Sequence, residues 1–424
     1  MLNQYGLEWE GTLSGLEPRW TTDPDLSKID GILRQHLNLD VTSKCALQFF
    51  AQGGFNKLYS VSTDAGQWLM RVALPVDPQR KTASEVATMN FVRESTTTPI
   101  PSVRGHSATN ENALGFEWIL MEMMPGMVLE RRWRQMSMEQ KKYLVKQLAQ
   151  YQSQLFAAES RYQSIGNLYQ PSSERYEVGS IVSMSFFWGD RGAQDSVNRG
   201  PFMTSHAWLS ARLNLVLDSQ AEILPNPDSD EDDIEDAEAI KALAERLLAL
   251  LPSRFPADEV QSTMLFHDDL HANNILVSSE DPARITAILD WECVSFLPLW
   301  MACQPPALLE GRVRDKAPQR DIYAAHDPEL DGPDEEDHAQ GKTTLYWEHQ
   351  LEYERGVLRP MFLQEMLRLQ PAWMEVFRDG EAKREFELAV QHCDGLFTVR
   401  TVGRWVDEVE KGGESGSLRE ILYA

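Results

Sequence analysis

The sequence predicts an α+β protein with a bilobal fold, in which a small antiparallel-sheet lobe carrying one main helix precedes a large helical lobe. Three observations carry that prediction. Between residues 47 and 73 apolar residues alternate with polar ones and are punctuated by Gly53-Gly54 and Asp64-Ala65-Gly66, the pattern of strands joined by tight turns. One helical pattern and one more strand-length apolar run come next, ending in the breaker Met124-Pro125-Gly126. Beyond that breaker apolar residues return at three- and four-residue spacing.

Taken in order, residues 1–46 read as an N-terminal extension, aperiodic apart from Ile29, Ile32 and Leu33, which fit a short helix packing on the first lobe. Residues 47–123 form that lobe. Its strands LQFFAQ, KLYSVST and QWLMRVA lead into the helix TASEVATMNFVRE, with Val86, Met89 and Val92 on one face. Thr82 can cap that helix, with Glu85 three residues on as the return arm of a capping box. After an extended stretch at 99–103 comes the strand GFEWILMEM, and residues 123–126 read as a hinge.

Residues 124–424 form the second lobe. Leu144, Leu148, Tyr151 and Leu155 mark one helix, and Ile240, Leu243, Leu247 and Leu250 mark another. The acidic run DSDEDDIEDAE that leads into the latter reads as a solvated loop. Residues 300–424 are mostly helical in pattern.

Composition narrows the function classes. Of 424 residues 42% are hydrophobic and 25% charged, the balance of a globular chain, and no apolar run is long enough to cross a bilayer, so no membrane partner is expected. A net charge of −25 argues against nucleic acid, whose phosphates call for clustered Lys and Arg. Cys45, Cys293, Cys303 and Cys393 form no CxxC pair, so neither a zinc ribbon nor a disulfide framework is indicated. Glu8, Glu10 and Glu17 precede the first basic residue, Arg19, with no apolar leader, and a cytoplasmic protein is the expectation.

The chemistry concentrates in STMLFHDDLHANNILVSS, where apolar runs of strand character flank a short polar loop. Phosphoryl transfer asks for one carboxylate beside the attacking hydroxyl and for oxygen ligands that hold Mg²⁺ against the phosphates. Asp269 and Asn274 supply one of each, and Asp290, ending the strand ITAILD, supplies a third oxygen donor. His267 and His271 have a zinc-like spacing, but the HExxH glutamate is missing and the flanks are strands, which disfavours zinc. An isolated turn held by Asx side chains would explain the loop alone; Asp290 at strand-end spacing argues for more.

These residues resemble the aminoglycoside phosphotransferase and choline kinase branch of the protein-kinase-like fold, in its fungal-type form. The loop H-x-D-x-H-x-x-N is matched by His267, Asp269, His271 and Asn274, and the metal aspartate falls on Asp290. The resemblance spans roughly residues 47 to 305 and implies an ATP- and Mg²⁺-dependent transfer to a small-molecule hydroxyl acceptor. It implies Asp269 as base, braced by His267 and His271, and Asn274 with Asp290 on the metal. QGGFNKLYSV would cover the phosphates, with Gly53 and Gly54 letting amides approach and Asn56 and Lys57 nearby. Backbone groups from Glu122 to Met124 would meet the adenine.

Two positions depart from the family pattern. Arg71 stands where a phosphate-contacting Lys is usual, with Glu85 as its helix partner, so the ion pair and the capping box both account for Glu85. Asp268 replaces a usual Gly and is expected to face solvent. Phe186, Phe187, Trp188 and Trp300 are candidates for an acceptor pocket, although core packing explains each singly. The alternative function is a catalytically weak, pseudokinase-like nucleotide-binding or scaffold protein, which Arg71 favours and Asp269, Asn274 and Asp290 disfavour.

Overall fold

The structure, a computed structural model, describes residues 4–12, 15–158, 162–173, 175–189, 191–224, 231–323, 343–412 and 416–423. The chain begins with a hairpin, β1 (Leu7–Thr12) and β2 (Gly15–Trp20), and the helix α1 (Leu26–Leu37), whose Asp25 side chain caps it by accepting from the Ser27 amide. Ile29, Ile32 and Leu33 form the buried face of α1, as their spacing predicts.

Next in the chain is an antiparallel sheet in the order β3-β4-β5-β7-β6, built from β3 (Cys45–Gln52), β4 (Asn56–Thr63), β5 (Gly66–Ala73), β6 (Val103–Ser107) and β7 (Glu117–Glu122). Because side chains alternate along a strand, the sheet has two distinct faces. Tyr59, Val61, Met70, Val72, Trp118 and Leu120 point outward and pack with α1. Ile119 and Met121 point the other way, into the principal core with Val86, Met89 and Val92 of α2 (Arg80–Ser95). Leu33 is fully buried, so Leu33→Ala removes about 2–5 kcal/mol of packing.

α2 starts two residues before the capping box expected at Thr82. Gln79 is its N-cap residue without a side-chain cap bond, and Thr82 is buried inside the first turn with its hydroxyl on Glu117. Thr82 therefore does not cap the helix, because the chain has already entered helical geometry at Arg80, and Glu85 is released from the capping role.

The chain then crosses to the second lobe through Gly126. Its φ is +129°, and a Cβ there would lie 2.6 Å from the Val277 carbonyl oxygen and 2.4 Å from Thr286 Oγ1. Only glycine lets the backbone pass so close. Immediately beyond, β8 (Met127–Val128) pairs with β12 (Ile275–Val277), which pairs in turn with β13 (Ile285–Ile288). A second small sheet, in the order β10-β9-β14-β11, comprises β9 (Gly166–Ser172), β10 (Arg175–Gly179), β11 (Thr263–Phe266) and β14 (Ser295–Pro298).

Helices surround these sheets. After α3 (Leu129–Trp133) comes α4 (Met138–Ala157), opened by a capping box between Ser137 and Gln140 and burying Leu144 and Leu148. The short α5 (Met184–Phe187) precedes α6 (Ser205–Ile223) and α7 (Glu231–Arg254), a helical pair. The acidic run is helical from Glu231 onward, which corrects the loop reading, while its first residues, 228–230, lie outside the described residues. Glu231, Asp232 and Asp233 occupy the first turn, where negative charge favours the helix dipole. α8 (Leu299–Ala302), α9 (Thr344–Leu369), α10 (Pro371–Asp379), α11 (Glu381–His392), α12 (Val399–Glu410) and α13 (Leu418–Leu422) complete the lobe. Among the described residues no helix is long and apolar enough to cross a membrane.

Candidate active site

The polar loop lies between β11 and β12, at the junction of the two small sheets. Asn274 donates through Nδ2 to the Asp269 backbone carbonyl at 2.9 Å and to its Oδ2 at 3.0 Å. His271 Nε2 lies 3.3 Å from the other carboxylate oxygen of Asp269. Asn274 thus holds one oxygen of Asp269 while His271 stands beside the other, and the side chain still faces solvent with 60% exposure. Asp268 is exposed, as expected.

His267 is buried, and its Nε2 meets the Leu289 carbonyl at 3.0 Å, with the ring edge-on to Trp291. The residue after Leu289, Asp290, adopts φ +61°. A non-glycine residue in that region is uncommon, and such conformations cluster where geometry serves function.

A buried charge cluster sits across from this loop. Arg71 of β5 donates to Glu85 of α2 and to Glu292, and its Nη2 lies 3.3 Å from Asp290 Oδ1. Lys81 of α2 reaches Glu292 at 2.5 Å and the Asn56 Oδ1 at 3.3 Å, while Asn56 Nδ2 donates to Glu292 at 2.9 Å. Burial opposes charge on Glu292, yet Arg71 and Lys81 outweigh it and hold its pKa down to about 2. Burial pushes Glu85 the other way, up to about 7, against the pull of Arg71.

Glu85, Asp290 and Glu292 face two cations, Arg71 and Lys81. With all three acids ionised the cluster is one negative charge in excess, a setting that favours an added cation.

Sequence reasoning brought together Arg71, Glu85, Asn56 and Asp290 but missed Lys81 and assigned Glu292 no role. A signal for Lys81 was present, since it lies four residues before Glu85 and so shares its helix face. Lys57 is a correction. Adjacent strand residues face opposite ways, so with Asn56 turned inward Lys57 points out from the sheet, where it pairs with Asp23 and lies 4.6 Å over the Trp20 ring.

Gly53 and Gly54 precede β4, and a Cβ on either would meet nothing within 4 Å. The fold itself does not demand glycine there. Phe55 beside them packs edge-on against Phe187 and Trp188, so these two aromatics anchor the loop to the second lobe. Phe186 is core, and Trp300 is buried with its indole donating to Ser205 and Gln261.

At the end of β7 the Glu122 amide donates to the Ser102 carbonyl at 2.9 Å and the Glu122 carboxylate accepts from the Ser102 hydroxyl at 2.9 Å. The Met123 amide is taken by the Gln67 carbonyl.

Two lobes of this build, joined in this order, define the protein-kinase-like fold. The chain belongs to the phosphotransferase enzyme family, whose model matches residues 46–301, more than half of its length. A subtelomeric hrmA-associated cluster protein of Aspergillus fumigatus is 27% identical over 316 residues, covering 61% of this chain and 59% of that protein. The altered inheritance of mitochondria protein 9 of Yarrowia lipolytica, named as mitochondrial, is 25% identical over 298 residues, covering 62% of this chain and 51% of its own. The chain thus spans between half and three fifths of the length of these relatives. Among solved structures, a thermostable mutant of aminoglycoside phosphotransferase APH(4)-Ia in ternary complex with ADP and hygromycin B aligns with a TM-score of 0.45 at 14% identity, over 92% of this chain and 100% of that one.

Proposed function

We propose that this chain is an ATP- and Mg²⁺-dependent kinase that moves the γ-phosphoryl group to a hydroxyl of a small molecule. The observation that carries the reading is Asp269, an exposed carboxylate held at one oxygen by Asn274 and within reach of His271 at the other. In the proposed step the acceptor oxygen bonds to the γ-phosphorus as the bond to the β-bridging oxygen breaks, and the hydroxyl proton passes to Asp269. His267 and His271 position the loop and transfer no proton.

The residues present fit Mg²⁺. That ion takes one or two protein oxygens and completes its shell with water and phosphate. Asn274 spends its Nδ2 on Asp269, which leaves Oδ1 as a donor, and the Asp290 carboxylate is the second. When bound, the cation neutralises charge on the phosphate oxygens. The Gly53 amide closes the turn on the Asn56 carbonyl, Gly54 gives the phosphates access to the backbone there, and Asn56 approaches from the start of β4. The carbonyl of Glu122 and the amide of Met124 offer an edge to the adenine. Arg71 and Glu85 keep α2 docked against β5.

The test is Asp269→Ala. ADP release, screened over a library of hydroxyl compounds, should vanish while calorimetric binding of AMP-PNP with Mg²⁺ persists. Release that survives the change sinks the assignment of the base. A second reading, a nucleotide-binding scaffold, is favoured by the engagement of Arg71 with three carboxylates; for it the native chain would release no ADP with any acceptor. A cytoplasmic site of action competes with the mitochondrial naming of the yeast relatives, and imaging the tagged full-length protein decides between them.

A further inference from the structure

The charge cluster divides its cations unequally. Arg71 directs one terminal nitrogen to Glu85 and the other to Glu292 and Asp290, and its Nε is buried without a partner. A guanidinium fixed on three carboxylates serves as a clamp. Lys81 is 2% exposed, and its ammonium, with three donors, meets Glu292 and Asn56 while lying 5.8 Å over the Phe55 ring. Asn56 and Phe55 are the two residues directly after Gly53-Gly54, so the Lys81 ammonium meets both Glu292 and the residues that follow the glycine turn. Taking an ammonium out of water costs several kcal/mol, and Glu292 and Asn56 meet it through two contacts while it carries three donors.

From this division we infer that Lys81 is the cation that contacts the phosphate chain of the nucleotide, a role the strand position cannot fill because Arg71 is committed to Glu85 and Glu292. Glu292 and Asn56 hold the Lys81 ammonium in place. The inference rests on the nucleotide site proposed above.

The experiment measures AMP-PNP with Mg²⁺, and separately adenosine, by calorimetry on the native chain, Lys81→Met and Lys81→Arg. A charge-assisted bond lost from Lys81→Met should weaken AMP-PNP by about 10- to 100-fold, leave adenosine nearly unchanged, and be largely restored in Lys81→Arg. Equal AMP-PNP affinity in native and Lys81→Met overturns the inference alone. No binding of either ligand by the native chain overturns the nucleotide site as well. Should the variants not fold, a crystal structure of the native chain with AMP-PNP decides: Lys81 Nζ within hydrogen-bond reach of a phosphate oxygen supports the role, and Nζ still confined to Glu292 and Asn56 refutes it.

Discussion

Leu289 donates its backbone amide to the carbonyl of Asn274 at 2.8 Å. The same residue receives His267 at its carbonyl, so the position before Asp290 is stitched to both ends of the loop that carries Asp269. The candidate base and the candidate metal carboxylate, twenty-one positions apart in sequence, are thereby fixed relative to each other by backbone geometry and one buried ring.

His267→Ala should accordingly act at a distance from the chemistry. It leaves the Leu289 carbonyl without its side-chain donor and opens a void beside Trp291, a loss of about 2–3 kcal/mol in urea unfolding. Asp269 should then be less well placed, so that ADP release falls more than AMP-PNP affinity does. A variant as stable and as active as the native chain would show that the imidazole braces nothing.

Two glycine substitutions separate fold from site. Gly126→Ala meets the Val277 carbonyl and a strained φ, and should cost about 2 kcal/mol or more. Gly53→Ala meets open space, so its melting temperature should match the native one while AMP-PNP binding weakens. Equal nucleotide affinity in Gly53→Ala would detach that loop from the phosphates.

The strands, the point where the chain leaves the first sheet and the polar loop were legible because each is written locally. Alternation marks β3 to β5, Met124-Pro125-Gly126 marks the crossing, and Asp269 and Asn274 lie five residues apart. The illegible features depend on direction in space. Whether Asn56 or Lys57 faces the site turns on which face of β4 is covered by α1, and that is a tertiary fact. The onset of α2 at Arg80 hid Lys81 in the same way, because placing the cap at Thr82 puts Lys81 outside the helix. The acidic run misled for a different reason, since repulsion within it is offset by the helix dipole at Glu231 and by the apolar face further along.

The charge cluster should respond to pH through Glu85. Burial raises its pKa from 4.5 to about 7, so the folded state holds that proton more tightly than the unfolded one. Because its pKa is raised, Glu85 makes stability fall as pH climbs through the window from 4.5 to about 7. Glu85→Gln removes that dependence, so its stability relative to the native chain should improve steadily as the pH rises from 4.5 to about 7. Urea unfolding of both proteins at several pH values measures it. A difference that does not change with pH would mean that Glu85 stays ionised throughout, held by Arg71.

Lys57 supplies the complementary test, because it neighbours the glycine turn in sequence yet faces away from the cluster. Its ammonium pairs with Asp23, a residue 85% exposed at its side chain, and rests on Trp20. The carboxylate is open to solvent but the Lys57 side chain is only 8% exposed, so Asp23→Ala leaves a largely buried ammonium with the Trp20 ring alone and should cost about 1–3 kcal/mol. Lys57→Met should cost less than that, since it removes the buried ammonium along with its need for a partner and keeps an apolar contact with the Trp20 ring. Neither should change AMP-PNP affinity by more than about twofold, because the outer face of β4 is separated from Asn56 and Lys81 by the sheet itself. Measured beside Lys81→Met, a large loss in Lys57→Met and none in Lys81→Met would reverse the assignment and place the phosphates on the other side of the strand.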